Sequence, residues 1–225
     1  MVPHLNGDMM MNRRTLLIPA CLVVGSAAGI AGALAIAQPA KDKTAQPDHA
    51  PLPPGWPEAD MQACVEAGTP GEMHRHLAEA AGTWNGRTKM WMAPGTEPME
   101  SECTSTITTV MDGRYTRCEI TGEMPGMGMY NGFGLYGYDN VAEKFQSTWI
   151  DNHGTGMMIG TGELSPDGKT LTWRFTYNCP ITKKPAVMRE VERLTSDNEK
   201  TLEMFGTDPK SGKEFKMMEI HFTRQ

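Results

Sequence analysis

The sequence predicts an all-β fold: about ten antiparallel strands closed into an up-and-down barrel, preceded by one or two short helices. Three observations predict it. From Gly82 onward, segments of about six to twelve residues rich in Thr, Val, Ile, Tyr, Phe and Trp are separated by turn signals. Several of these segments alternate: Leu171, Trp173, Phe175 and Tyr177 oppose Thr170, Thr172, Arg174 and Thr176, and Met218, Ile220 and Phe222 oppose Met217, Glu219 and His221. One apolar face and one wet face are the mark of antiparallel sheet. No spacing in the chain fits a βαβ unit, and sequential hairpins are best disposed by closing on themselves, because closure removes exposed edges. A two-sheet sandwich is the alternative architecture.

The elements follow in order. Asn12-Arg13-Arg14 opens a stretch, Thr15 to Ala37, without a charged residue, ending in the small-x-small pattern Ala35-Ile36-Ala37. A positive start, an apolar middle and such an end form a bacterial export signal over 1–37, which directs the chain to the periplasm or outside the cell. Arg13-Arg14 followed by Leu16-Leu17 fits the twin-arginine route, although a general secretory signal carries paired arginines too. Left uncleaved, the stretch is long enough to anchor the chain in a bilayer, but Pro19, Gly25, Gly29 and Gly32 favour cleavage, after which no membrane span remains. Residues 38–57 hold Pro39, Pro47, Pro51, Pro53, Pro54 and Pro57 and read as a linker. Residues 58–81 form a short helical segment, with Glu58–Ala67 and Gly71–Ala81 each able to hold a helix. The barrel occupies 82–225. Its strands are expected at 82–92, 100–110, 114–123, 129–138, 143–150, 156–164, 169–178, 185–195, 199–206 and 213–224. Between them stand turns such as Asp112-Gly113, Pro166-Asp167-Gly168 and Ser196-Asp197-Asn198, whose residues tolerate the positive φ of tight hairpins.

Charge narrows the function. The chain of 225 residues carries 27 Asp+Glu against 21 Lys+Arg, a net −6. That balance argues against a nucleic-acid partner, which calls for a basic stripe. Nothing matches a nucleophile elbow, H-E-x-x-H, a P-loop or a zinc C-x-x-C, so no catalytic or metal residue is assigned and no cofactor is implied.

One resemblance runs through the domain. Gly82-Thr83-Trp84 places a G-x-W on the first strand, as in the calycin barrels (lipocalins, fatty-acid-binding proteins, nitrobindins), where that Trp packs across the barrel floor. It is preceded by His74-Arg75-His76-Leu77. It is followed by Lys89-Met90-Trp91-Met92-Ala93-Pro94-Gly95, Asp112-Gly113-Arg114-Tyr115, Gly134-Leu135-Tyr136-Gly137-Tyr138-Asp139-Asn140 and Ser147-Thr148-Trp149-Ile150-Asp151-Asn152, and the chain closes on Gly212-Lys213-Glu214-Phe215-Lys216-Met217-Met218-Glu219. In this order the motifs resemble a bacterial family catalogued as domain of unknown function 1579, over about residues 70 to 225. The resemblance implies a calycin-like fold and no particular chemistry.

The leading functional expectation is a small apolar or amphipathic ligand held inside the barrel, lined by Trp84, Trp91, Met127, Met129, Tyr136, Trp149 and Trp173, with Asp151 and His153 on a polar turn at the mouth. Three alternatives stand beside it. Met124, Met127 and Met129, with Met157, Met158 and His153 nearby, supply thioethers of the kind that bind copper(I), although Met also fills soft apolar linings. His221, late in the chain, invites comparison with the haem ligand of nitrobindins, but its alternation places it with Glu219 on the polar face. An enzyme of unrecognised type would use the Asp151–His153 turn, whose plainer reading is turn chemistry, and a solid interaction module would have no cavity at all. His74 and His76 stand two apart on a helix and share no face, so one of them is expected to close or cap the barrel end instead of pairing on a metal.

Cys64, Cys103, Cys118 and Cys179 are the disulfide candidates, and four cysteines allow three connectivities. The Asp112-Gly113 hairpin sets Cys103 opposite Gly122 and Cys118 opposite Ile107, roughly 13 Å apart along the strands. A direct bridge there needs a bulge, which turns the expectation toward Cys64 pinning the helical segment to a strand.

Overall fold

The computed structural model describes residues 54–225. The export signal expected over 1–37 and most of the linker expected over 38–57 lie outside the described residues. Two helices, α1 (Glu58–Gly68) and α2 (Glu72–Ala78), lead into ten strands: β1 (Gly82–Met90), β2 (Met99–Val110), β3 (Tyr115–Met124), β4 (Gly128–Asp139), β5 (Lys144–Asp151), β6 (Met158–Leu164), β7 (Thr170–Asn178), β8 (Pro185–Ser196), β9 (Glu199–Thr207) and β10 (Glu214–Arg224). Every strand pairs antiparallel with its neighbours in sequence, and β1 also pairs with β10, so the sheet closes as an up-and-down barrel. Strand ends fall within two residues of those read from the turn signals. The β2–β3 hairpin has the register that its Asp-Gly turn dictates, Cys103 opposite Gly122 and Ile107 opposite Cys118. Among the described residues no helix is long and apolar enough to cross a membrane.

The alternation resolves into inside and outside. Leu171, Trp173 and Phe175 of β7 face the core, as do Ile220 and Phe222 of β10, while His221 points outward and bonds Glu219 at 2.6 Å. Glycines make room for the largest interior side chains. A Cβ at Gly162 would stand 2.8 Å from the Trp173 ring, and one at Gly134 would stand 2.6 Å from the ring of Trp149. Small residues on one strand thus accept aromatics from the next. Trp173 meets Tyr136 edge-on at 5.2 Å and Phe145 at 6.2 Å, and such pairs contribute ~0.5–1.5 kcal/mol beyond their burial.

The two ends of the barrel differ. At one, α2 lies across the opening with Leu77 buried. The indole N–H of Trp84, a fully buried residue, donates to the Ala80 carbonyl at 2.9 Å. Arg224, on the last strand, lies 4.2 Å over the Trp84 ring, and its guanidinium donates to the carbonyls of Ala81, Glu79 and Asp197. Those carbonyls fall at the end of α2 and in the β8–β9 turn, so one cation ties three segments together. His74 caps α2, its Nδ1 accepting from the Gly71 N–H at 3.0 Å, with the ring edge-on to Tyr138 at 6.0 Å. The carbonyls at the end of α1 accept from Asn140 Nδ2 and Arg114 Nε in the nearby turns. The opposite end carries the connections 91–98, 125–127, 152–157, 179–184 and 208–213 and, among the described residues, no helix.

Among the described residues Cys64, Cys103, Cys118 and Cys179 are free thiols, which corrects the expectation of a bridge between α1 and a strand. Cys64 sits exposed on α1 at the closed end, whereas Cys179 lies in a connection at the open end. Cys103 and Cys118 both face inward but at different levels of the same hairpin, as their register requires.

Candidate functional site

The barrel encloses a cavity of about 420 Å³ that reaches from α2 to the open end. That volume lies within the range of small-molecule sites. Most of its wall is apolar, with Ile107, Trp149, Trp173, Phe175, Met188 and Ile220 among the lining residues. Alternation along the strands explains the selection, since every second residue of β1–β10 projects inward.

The wall is not uniformly apolar. On β8 the inward phase includes Glu190 and Glu192, and on β9 it includes Lys200. Lys200 is only 5% exposed and donates to Glu192 Oε1 at 2.6 Å, while its ammonium lies 5.1 Å from the Trp84 ring and 5.3 Å from that of Phe222. A buried charge needs such partners to be tolerated. Glu190 is 4% exposed and makes no hydrogen bond to any described residue. Burial pushes its carboxyl up to about 8, the neighbouring Glu192 adding to the rise and Lys200 opposing it. Directly across the strand pair stands Trp173, fully buried, whose indole N–H also lacks a partner among the described residues. Ser105 and Cys118 lie against each other at 3.5 Å, and burial raises the Cys118 thiol to about 11. Tyr136, half-buried, lies on the same cavity, its hydroxyl held well above the usual range by desolvation first and then by Glu190.

The open end is bordered by Met124, Pro125, Met127, Asp151, His153 and Met158. The Asp151–His153 turn is knit to β4. Asp151 Oδ1 accepts from the His153 N–H at 2.9 Å, Asn152 Oδ1 accepts from the Asn131 N–H at 2.8 Å, and Asn152 Nδ2 donates to the Met129 carbonyl at 2.9 Å. The His153 ring stacks on Tyr130 at 5.8 Å with Nε2 3.3 Å from the Met129 carbonyl. These contacts are turn chemistry that fixes the rim.

Of the residues expected to line the interior, Trp84, Tyr136, Trp149 and Trp173 project into the barrel, with Tyr136, Trp149 and Trp173 on the cavity and Trp84 in the floor. Met127, Asp151 and His153 stand at its rim. Two placements are corrected. Met129 falls on the outward phase of β4 and is exposed, and Trp91, one residue past β1 on the outward phase, lies under Lys216 at 5.4 Å. Sequence reading missed Glu190, Glu192 and Lys200. Their signal was present: Met188, Glu190, Glu192 and Leu194 share one phase of β8, and Lys200, Leu202 and Met204 share one phase of β9. Among the described residues no three His, Cys, Asp or Glu side chains group as a metal cluster.

Fold and cavity together define a closed antiparallel barrel with an enclosed, largely apolar chamber. The chain belongs to the family described as Protein of unknown function (DUF1579), which matches residues 69–224. Two solved structures share the fold. The S-type phycobiliprotein lyase CPES from Guillardia theta is 11% identical with a TM-score of 0.52, covering 72% of this chain and 96% of the lyase. Rv2717c from M. tuberculosis is 13% identical with a TM-score of 0.50, covering 70% of this chain and 99% of that protein. None of the curated proteins matches this chain in sequence.

Proposed function

We propose that this chain is an exported barrel protein that binds a small apolar or amphipathic molecule in its interior. The observation that carries the reading is the chamber itself: about 420 Å³, apolar over most of its wall, with a few polar groups grouped on one side. A barrel filled by its own side chains would have no such space. Tryptophan fluorescence tests it, because Trp149 and Trp173 stand on the cavity wall. Titration with Nile red is expected to quench tryptophan emission and saturate at one dye per chain. Emission that stays unchanged, or changes without saturating, overturns the reading.

Export rests on the signal read over 1–37. Fractionation of bacteria expressing the full chain is expected to find it outside the cytoplasm, beginning at Gln38. Full-length protein retained in the cytoplasm contradicts export without touching the binding reading.

A second reading draws on a different observation. Met92, Met127 and Met157, on three successive open-end connections, and Met129 beside them all carry exposed thioethers. Soft thioethers suit copper(I). Titration of the reduced protein with copper(I) against a competing chelator is expected to show metal uptake that Met127→Leu together with Met129→Leu abolishes. Uptake that these changes leave intact removes the reading.

A further inference from the structure

The polar side of the cavity is asymmetric in a way that bears on the ligand. Three ionisable groups share the inward phase of β8 and β9: Glu190, Glu192 and Lys200. The cation on these two strands, Lys200, is already engaged by Glu192 at 2.6 Å and covered by the rings of Trp84 and Phe222. It is therefore not free to receive an anionic head group. Glu190 makes no hydrogen bond to another described side chain, and its oxygens are not among the sealed unpartnered atoms, so they open onto a largely apolar chamber. A carboxyl there is poorly solvated, and a ligand that supplies a donor improves on that. Across the strand pair, the indole N–H of Trp173 also lacks a partner among the described residues, but it is sealed in the wall and leaves Glu190 as the group that faces the chamber.

Resting on the ligand-binding reading above, we propose that the occupant is an amphipathic molecule whose head is an N–H donor, an amide or an amine, seated on Glu190, and not a carboxylate. An amide or an amine supplies that donor. A carboxylate is repelled once Glu190 is ionised, and Lys200 beside it is already engaged. The titratable groups facing Glu190 are Glu192 on its own strand, Lys200 on β9, Tyr136 and Tyr130 on β4 and Cys118 on β3. Burial keeps Glu190 protonated up to about pH 8, and in that state it can donate to a carboxylate. Discrimination therefore sharpens as pH rises past that point.

The test compares decanamide, decylamine and decanoate on the full chain by isothermal titration at pH 6.5 and pH 9. Their apolar tails are closely matched, so the head decides. At pH 9 decanamide and decylamine are expected to bind at least tenfold more tightly than decanoate, and the gap is expected to be narrower at pH 6.5. Glu190→Gln, which keeps the shape and removes the charge, is expected to close most of the gap at pH 9 and to remove its pH dependence. Decanoate that binds as tightly as the amide at pH 9, or a gap that survives Glu190→Gln, overturns the assignment while leaving a ligand-binding barrel in place. If none of the three binds while Nile red does, the assignment falls alone. If Nile red also fails, the binding reading falls with it. A melting curve of Glu190→Gln establishes that it folds.

Discussion

Single residues carry the two sharpest features of this barrel, and both follow from strand parity. Glu190 is a carboxyl on the inward phase of a strand, so the fold forces it out of water. Burial raises its protonation point from the ordinary 4.5 to about 8, so the folded chain binds a proton that the unfolded chain releases. The stability linked to Glu190 is therefore full below about pH 4.5 and lost as pH rises through 8. Melting temperatures of the native chain are expected to fall over pH 5 to 8 more steeply than those of Glu190→Gln, and parallel curves would refute this. Gly162 is the second such residue. An added Cβ would press on the Trp173 ring at 2.8 Å, so Gly162→Ala is expected to destabilise the fold by ~1–3 kcal/mol in denaturant melts, as overpacking does. The parity that exposes Met129 and hides Glu190 is one rule, and it was legible wherever a strand alternates cleanly. On β8 it was obscured. Arg189, Glu190, Glu192 and Arg193 put charge on both faces, and polarity alone does not say which face is inside.

At the scale of elements, the closed end depends on α2 being fastened to the first and last strands. Trp84 supplies the apolar floor, and Arg224 fastens Glu79, Ala81 and Asp197 over it. Arg224→Ala is expected to cost about 2–3 kcal/mol, since it strips several hydrogen bonds from a charged donor. It is also expected to raise hydrogen exchange at Leu77 to Ala81 before the strands are affected. Uniform exchange across the barrel would mean that α2 is held by something else. The sequence carried the Trp84 half of this arrangement in its G-x-W motif. The Arg224 half was invisible, because a terminal arginine gains meaning only when β10 closes against β1 and brings residue 224 opposite residue 84. Hairpin turns were legible for a plainer reason: Asp-Gly and its kin fix local backbone geometry without help from distant residues.

For the whole molecule, closure of ten strands sets a diameter that side chains do not fill, and what remains is a chamber of about 420 Å³ closed by α2 at one end and bordered by methionines at the other. Strand number was legible from the spacing of turns. The space inside was not, since it depends on how Gly134 and Gly162 let aromatics lie back against the wall. The central claim is that this space receives a molecule with its polar head on the Glu190 side. A crystal structure of the full chain grown with decanamide tests it most directly. Density for the ligand is predicted inside the barrel, with the amide nitrogen within hydrogen-bonding distance of Glu190 and the tail toward the open end. A barrel whose interior has collapsed onto its own side chains, or a ligand bound only on the outer surface, would contradict it.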